Sequence, residues 1–114
     1  MVDQVRPSQL PDWLAQAAAT GHEPLVLDVR EPWELRTASV TPDGFELLAI
    51  PMNEIPGRLA QLEADRPVAC LCHHGGRSQR VALFLAQQGF ANVANIAGGI
   101  DAWSLERDPG IPRY

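Results

Sequence analysis

Four short apolar runs, each bounded by polar or turn-forming residues, set the rhythm of this 114-residue chain. Residues 25–29, 47–51, 67–71 and 92–96 have strand length and little polar alternation, the pattern of strands buried on both faces. Helical periodicity fills the intervals. A first helix is predicted over 7–19, with Leu10, Leu14, Ala17 and Ala18 as its apolar stripe and Gly21 as its stop. A helical turn is predicted over 31–35, where Pro32 suits the first turn, and Thr41-Pro42-Asp43-Gly44 reads as a turn. Another helix is predicted from residue 53, carrying Ile55, Leu59 and Leu62. A further one follows residue 75 with Val81, Leu83, Phe84 and Leu85 and ends at Gly89, and a last one follows Gly98-Gly99. Strands alternating with helices imply a mostly parallel sheet covered on both faces, in the α/β class. The segment 108–114 lies outside these periodic elements and reads as irregular.

At this length the chain is expected to form one domain spanning residues 1–114, with its core over about 5–106. No apolar run approaches the roughly 20 residues of a membrane span, and MVDQVRPSQL carries no hydrophobic signal region, so an intracellular, cytoplasmic protein with no membrane partner is expected. Two cysteines two positions apart, Cys70 and Cys72, do not make a disulfide framework and suit a reducing compartment. The net charge is −5 and there is no lysine, so a nucleic-acid partner is not expected. An anionic small substrate would need local positive charge, which Arg77 and Arg80 can supply beside Cys72.

The candidate chemistry lies in Cys72-His73-His74-Gly75-Gly76-Arg77-Ser78. Cys72 sits at the carboxyl end of a predicted strand, where sites in such sheets form. The loop after it opens onto a helix N-terminus, whose free amides and dipole favour an anion and hence a thiolate. Gly75 and Gly76 allow successive amides to turn inward as an anion nest, and Arg77 adds a forked cation. A cysteine at a strand end is also a common small core residue; the two glycines, the basic residue and the helix start within six positions favour the nucleophile.

Three motifs resemble those of the rhodanese sulfurtransferases. Leu27-Asp28-Val29-Arg30-Glu31-Pro32-Trp33-Glu34 is similar to the family's first signature, residues 72–78 to its active-site loop, and Gly89-Phe90, Val93, Gly98-Gly99-Ile100 and Trp103 to its closing segment. The resemblance covers nearly the whole chain and implies a three-layer α/β/α domain with a five-stranded, mostly parallel sheet. Residues 36–50 depart from it: of the family's histidine-isoleucine-proline-glycine-alanine segment only Ile50-Pro51 corresponds. The resemblance also separates two readings of the loop. Related phosphatases place five residues between cysteine and arginine; here four intervene, a spacing that implies a persulfide sulfur in place of a phosphoryl group.

The expected activity is sulfur transfer from a small anionic donor such as thiosulfate, through a Cys72 persulfide, to cyanide, a thiol or a protein acceptor, with no cofactor and no metal. A persulfide carrier between partner proteins is the alternative; a binding module without catalysis fits less well with an intact cysteine loop. Arg77 has two available roles, clamping the donor or holding the loop by bonding backbone carbonyls, the second preferred. Ser78 is expected to cap the helix or else to contact the persulfide. His73 and His74 are placed at the entrance, where an imidazolium would favour thiolate. Asp28 and Arg30 are expected to pair and brace the loop, and Trp103 to pack in the core. Cys70, Cys72, His73 and His74 together have the composition of a soft-metal site, but a buried apolar Cys70 is the preferred reading.

Overall fold

The computed structural model describes residues 2–114. Five parallel strands, β1 (Val2–Val5), β2 (Leu25–Asp28), β3 (Glu46–Ala49), β4 (Val68–Leu71) and β5 (Val93–Ile96), form one sheet in the order β1-β5-β4-β2-β3. The α-helices are α1 (Leu10–Ala18), α2 (Pro32–Thr37), α3 (Gly76–Gln87) and α4 (Gly99–Glu106). The central strands β2, β4 and β5 are buried at every position, which is why they read as unbroken apolar runs.

Side chains alternate between two cores. Val26, Ala69, Leu71, Ala94 and Ile96 face one layer, filled by Leu10, Trp13, Leu14 and Ala17 of α1 and by Ile100 and Trp103 of α4. Leu25, Leu27, Val68, Cys70 and Val93 face the other, filled by Val81, Ala82 and Leu85 of α3 and by Ile50, Ile55 and Leu62. Cys70 and Cys72 lie on this α3 side, and Trp103 is buried beneath Phe45.

Several local expectations are corrected. The helix predicted from residue 53 is two 3-10 segments, Met52–Glu54 and Pro56–Gln61; Pro56 withholds an amide and Gly57 adds backbone freedom, so the tighter turn prevails. Residues 7–9 also form a 3-10 turn before α1, whose second residue is Pro11. On α1 the buried stripe takes Trp13 and leaves Ala18 exposed. On α3, Leu83 is exposed, because Val81 and Leu85 are four apart on the inner face. Strand β1 carried no readable signal, since as an edge strand it pairs only with β5 and its four residues, Val2-Asp3-Gln4-Val5, show neither an apolar run nor an alternation. The segment 108–114 has no regular structure, yet it is packed: Ile111 is buried in the α1/α4 core, and the Ser104 hydroxyl donates to the Ile111 carbonyl at 2.7 Å.

Candidate active site

Cys72 leaves β4 at its carboxyl end and is 1 % exposed. Gly75, at φ 105°, turns the loop back so that its amide donates to Cys72 Sγ at 3.0 Å. A Cβ at this position would stand 3.1 Å from the Gly98 amide nitrogen, in a backbone conformation side chains rarely adopt. The loop's carbonyls are drawn the other way: the first-turn amides of α4 bind them, Ile100 N–H to the Cys72 carbonyl at 2.9 Å and Asp101 N–H to the His73 carbonyl at 3.1 Å. The N-termini of α3 and α4 therefore converge on the loop, and both dipoles favour negative charge there. An open cleft of about 720 Å³ flanks the loop between Gln4, Arg77, Gln79 and Arg80.

Ser78 does not cap α3. The cap position is Gly75, which has no side chain, and Ser78 lies fully buried two residues inside the helix. Its hydroxyl lies 3.2 Å from Cys72 Sγ and 2.5 Å from Asn95 Oδ1. Asn95, at the end of β5, was not singled out by sequence; inside an apolar run a lone asparagine reads as an interruption, and only the sheet places it under α3.

Among the described residues, the Arg77 side chain bonds Glu34 and no backbone carbonyl. Its guanidinium makes a two-pronged pair with Glu34 of α2, at 2.6 and 2.8 Å. That pair holds the Glu34 carboxyl down at about 2, Tyr114 adding to the effect against the opposing influence of burial, and it raises the Arg77 proton affinity. Arg30 is fully buried and pairs with Asp28 at 2.7 Å; it also donates to the carbonyls of Glu34 and Ala38 and to the Tyr114 hydroxyl. Burial works against the Arg30 cation, but its bonds to Asp28 and Tyr114 hold the proton more tightly than usual. The Asp28–Arg30 pair thus braces α2, not the cysteine loop itself. The loop is reached one step further on, through Glu34 and Arg77.

Tyr114 joins the two pairs, accepting from Arg30 at 2.9 Å and donating to Glu34 Oε2 at 2.7 Å. Its ring lies flat on His73, with centroids 3.9 Å apart, and meets the half-exposed Trp33 edge-on. Nothing in an irregular C-terminal segment marks a tyrosine for this place. His73 is enclosed between Tyr114 and His74; burial first, then the neighbouring His74, push its pKa down, so the neutral imidazole is favoured over the expected imidazolium. His74 is exposed.

Among the described residues, His73, His74 and Asp101 bring ligand-type atoms within 4.8 Å of one another. The two rings are stacked, however, and Arg113 occupies both Asp101 oxygens, at 2.8 and 3.3 Å. Stacked imidazoles do not present both nitrogens in plane to one ion, so this arrangement fits a metal poorly. Cys70 is fully buried on β4, and burial raises its thiol pKa far above the ordinary range; it and Cys72 lie outside that grouping. None of the described helices is long and apolar enough to cross a membrane.

The family model described as Rhodanese-like domain matches residues 10–106. A sulfurtransferase of Allochromatium vinosum is 37 % identical over 99 residues, covering 87 % of this chain and 86 % of that protein. A chloroplastic rhodanese-like/PpiC domain-containing protein of Arabidopsis thaliana is 42 % identical over 96 residues, 81 % of this chain; the chain spans about a third of that relative, 31 % of its length. The crystal structure of a rhodanese-related protein of Thermoplasma volcanium superposes with a TM-score of 0.76 at 31 % identity, covering 98 % of this chain and 99 % of that one. With a family match over most of its length and the same five-stranded parallel fold, this chain belongs to the rhodanese-like domain family, whose relatives include sulfurtransferases.

Proposed function

We propose that the protein transfers sulfane sulfur through a persulfide on Cys72. The observation that carries this reading is the enclosure of Cys72 Sγ by the Gly75 amide at 3.0 Å and the Ser78 hydroxyl at 3.2 Å, at the meeting of two helix N-termini. The Cys72 thiolate attacks the outer sulfur of thiosulfate; a new S–S bond forms, and the bond to the sulfonate sulfur breaks with its electron pair leaving as sulfite. The anionic persulfide rests among the loop amides. An acceptor nucleophile then takes the outer sulfur: cyanide leaves as thiocyanate, or a thiol as a new persulfide, and the Cys72 thiolate is restored. The four-residue spacing from Cys72 to Arg77 and the enclosure of the sulfur favour a slender sulfur reagent over a phosphoryl group. Because Glu34 takes both outer nitrogens of Arg77, that side chain holds the loop in place, and the amides with Arg80 are left to meet the donor. The chemistry needs no cofactor, and the reading places it in the cytoplasm.

Intact mass after incubation with thiosulfate tests this. The expected result is a gain of one sulfur atom that cyanide discharges as thiocyanate and that Cys72→Ala lacks. Loading that persists in Cys72→Ala, or no loading by thiosulfate or any persulfide donor, overturns it. Loading by a persulfide-bearing protein but not by thiosulfate would identify a sulfur relay.

A further inference from the structure

We propose that Asn95 is a positioning residue for the sulfur chemistry. It holds the Ser78 hydroxyl as an acceptor beside the resting thiol, and gives it up as a donor when the sulfur becomes an anion. The assignment rests on Cys72 being the reacting sulfur.

Ser78 has one hydroxyl proton and two acceptors in reach, Asn95 Oδ1 at 2.5 Å and Cys72 Sγ at 3.2 Å. The orientation of the Asn95 amide follows from its other contacts. Its Nδ2 lies 3.3 Å from the Gly75 carbonyl, which only accepts, and 3.0 Å from Gln4 Oε1. Oδ1 must then face Ser78, and as a carbonyl oxygen it can only accept. The Ser78 proton is committed to Asn95, and a hydroxyl lone pair faces the sulfur. Donation runs outward without a break, from Ser78 to Asn95, from Asn95 to Gln4, and from Gln4 to Gln79 at 2.6 Å.

This polarity suits a protonated thiol, whose S–H can donate to Ser78. It does not suit a thiolate or persulfide anion, which needs donors. When Cys72 loses its proton to solvent, the Ser78 hydroxyl must rotate about its C–O bond to donate to Sγ. Asn95 Oδ1, buried beneath α3, is then left without its donor. That loss costs about as much as an ordinary hydrogen bond, roughly fivefold in an equilibrium. Asn95 also holds the Gly75 carbonyl, and the amide of the same residue is the other donor on Sγ. One side chain therefore touches both groups that surround the sulfur. The charged neighbour Arg77 is anchored by Glu34 and is not in this chain of bonds, so a change at Asn95 leaves it in place.

The test is a cycle of Asn95→Ala and Ser78→Ala, singly and together. Alkylation of Cys72 by iodoacetamide at neutral pH is followed by peptide mass. No sulfur donor is involved, so the outcome is independent of which donor the enzyme uses. Asn95→Ala is expected to speed alkylation about fivefold by freeing Ser78 to donate at all times. Ser78→Ala should slow it, and the double variant should match Ser78→Ala alone. A merely structural role would move the rate as much in the Ser78→Ala background as in wild type. Equal or slower alkylation in Asn95→Ala, or a change that survives removal of Ser78, overturns the proposal. Asn95→Leu, which keeps the branching at Cγ and lacks the acceptor, should behave as Asn95→Ala does and decides the matter if the smaller side chain fails to fold.

Discussion

Glu34 is the residue on which the periphery of the site turns. It is 3 % exposed, yet it carries charge because four donors meet it: two nitrogens of Arg77, the hydroxyl of Tyr114 and the Glu31 amide. A buried carboxylate without such partners would be strongly disfavoured. Tyr114 is held in turn as a neutral phenol, its pKa pushed up to about 12 by burial and by the Glu34 carboxylate, against the pull of Arg30. It is the only tyrosine in the chain, so tyrosinate absorbance reports on it alone. The midpoint in an alkaline titration is expected near 12 and should fall in Glu34→Gln, which removes the neighbouring charge. A raised pKa stabilises the fold below the unfolded value of about 10 and ceases to do so as pH climbs through the folded one. The site should therefore loosen only in strong alkali. An ordinary midpoint near 10 would show that the phenol is not enclosed as described.

At the scale of elements, the Cys72 loop depends on how closely α4 can approach it. Gly99, at φ 60°, lies against the loop backbone: a Cβ there would stand 2.4 Å from the His73 carbonyl oxygen and 2.5 Å from that of Cys72. Both obstacles are backbone atoms of the loop that presents the Gly75 amide to the sulfur, so neither can shift without disturbing that contact. Gly99→Ala is expected to lower stability by more than about 3 kcal/mol, measured by urea unfolding, and to reduce sulfur loading in the folded fraction. A stability change within about 0.5 kcal/mol would show that the loop yields freely. The neighbouring Gly98 meets only the Ala102 methyl and the far end of Arg6. The Gly-Gly pair was visible as a helix start, but its close approach to a loop some 25 positions earlier was not, because the contact is non-local.

Across the whole molecule, the segment 108–114 acts as a strap from α4 back to the site. Ile111 anchors it in the core, Arg113 pairs with Asp101, and Tyr114 closes on Arg30, Glu34 and His73. Stability should follow the charge state of Glu34 in acid. Its carboxyl is held at about 2, below an unfolded value of about 4.3, so the contribution is fully present above that unfolded value and is lost as pH falls toward 2. Urea unfolding across this window is expected to show a steeper loss in wild type than in Glu34→Gln. Equal slopes would mean that other carboxylates carry the acid response.

The sequence by itself determined the α/β class, the central strands and the place of Cys72 at a strand end ahead of a helix, since burial on both faces and a glycine-rich turn leave local signatures. The pairing of Asp28 with Arg30 was legible through the resemblance of residues 27–34 to the family's first signature, whereas its place, bracing α2 and not the loop, came only from the fold. Glu34, Asn95, Gly99 and Tyr114 became functional neighbours only in the folded chain. Each meets the Cys72 loop, or the network that holds it, across 17 to 84 positions of sequence. Such contacts form when parallel strands bring distant segments to one edge, and no local pattern of residues encodes them. The place of Ser78 was decided in the same way: helix position alone favoured a cap, and the fold instead sets its hydroxyl between the Asn95 carbonyl and Cys72 Sγ.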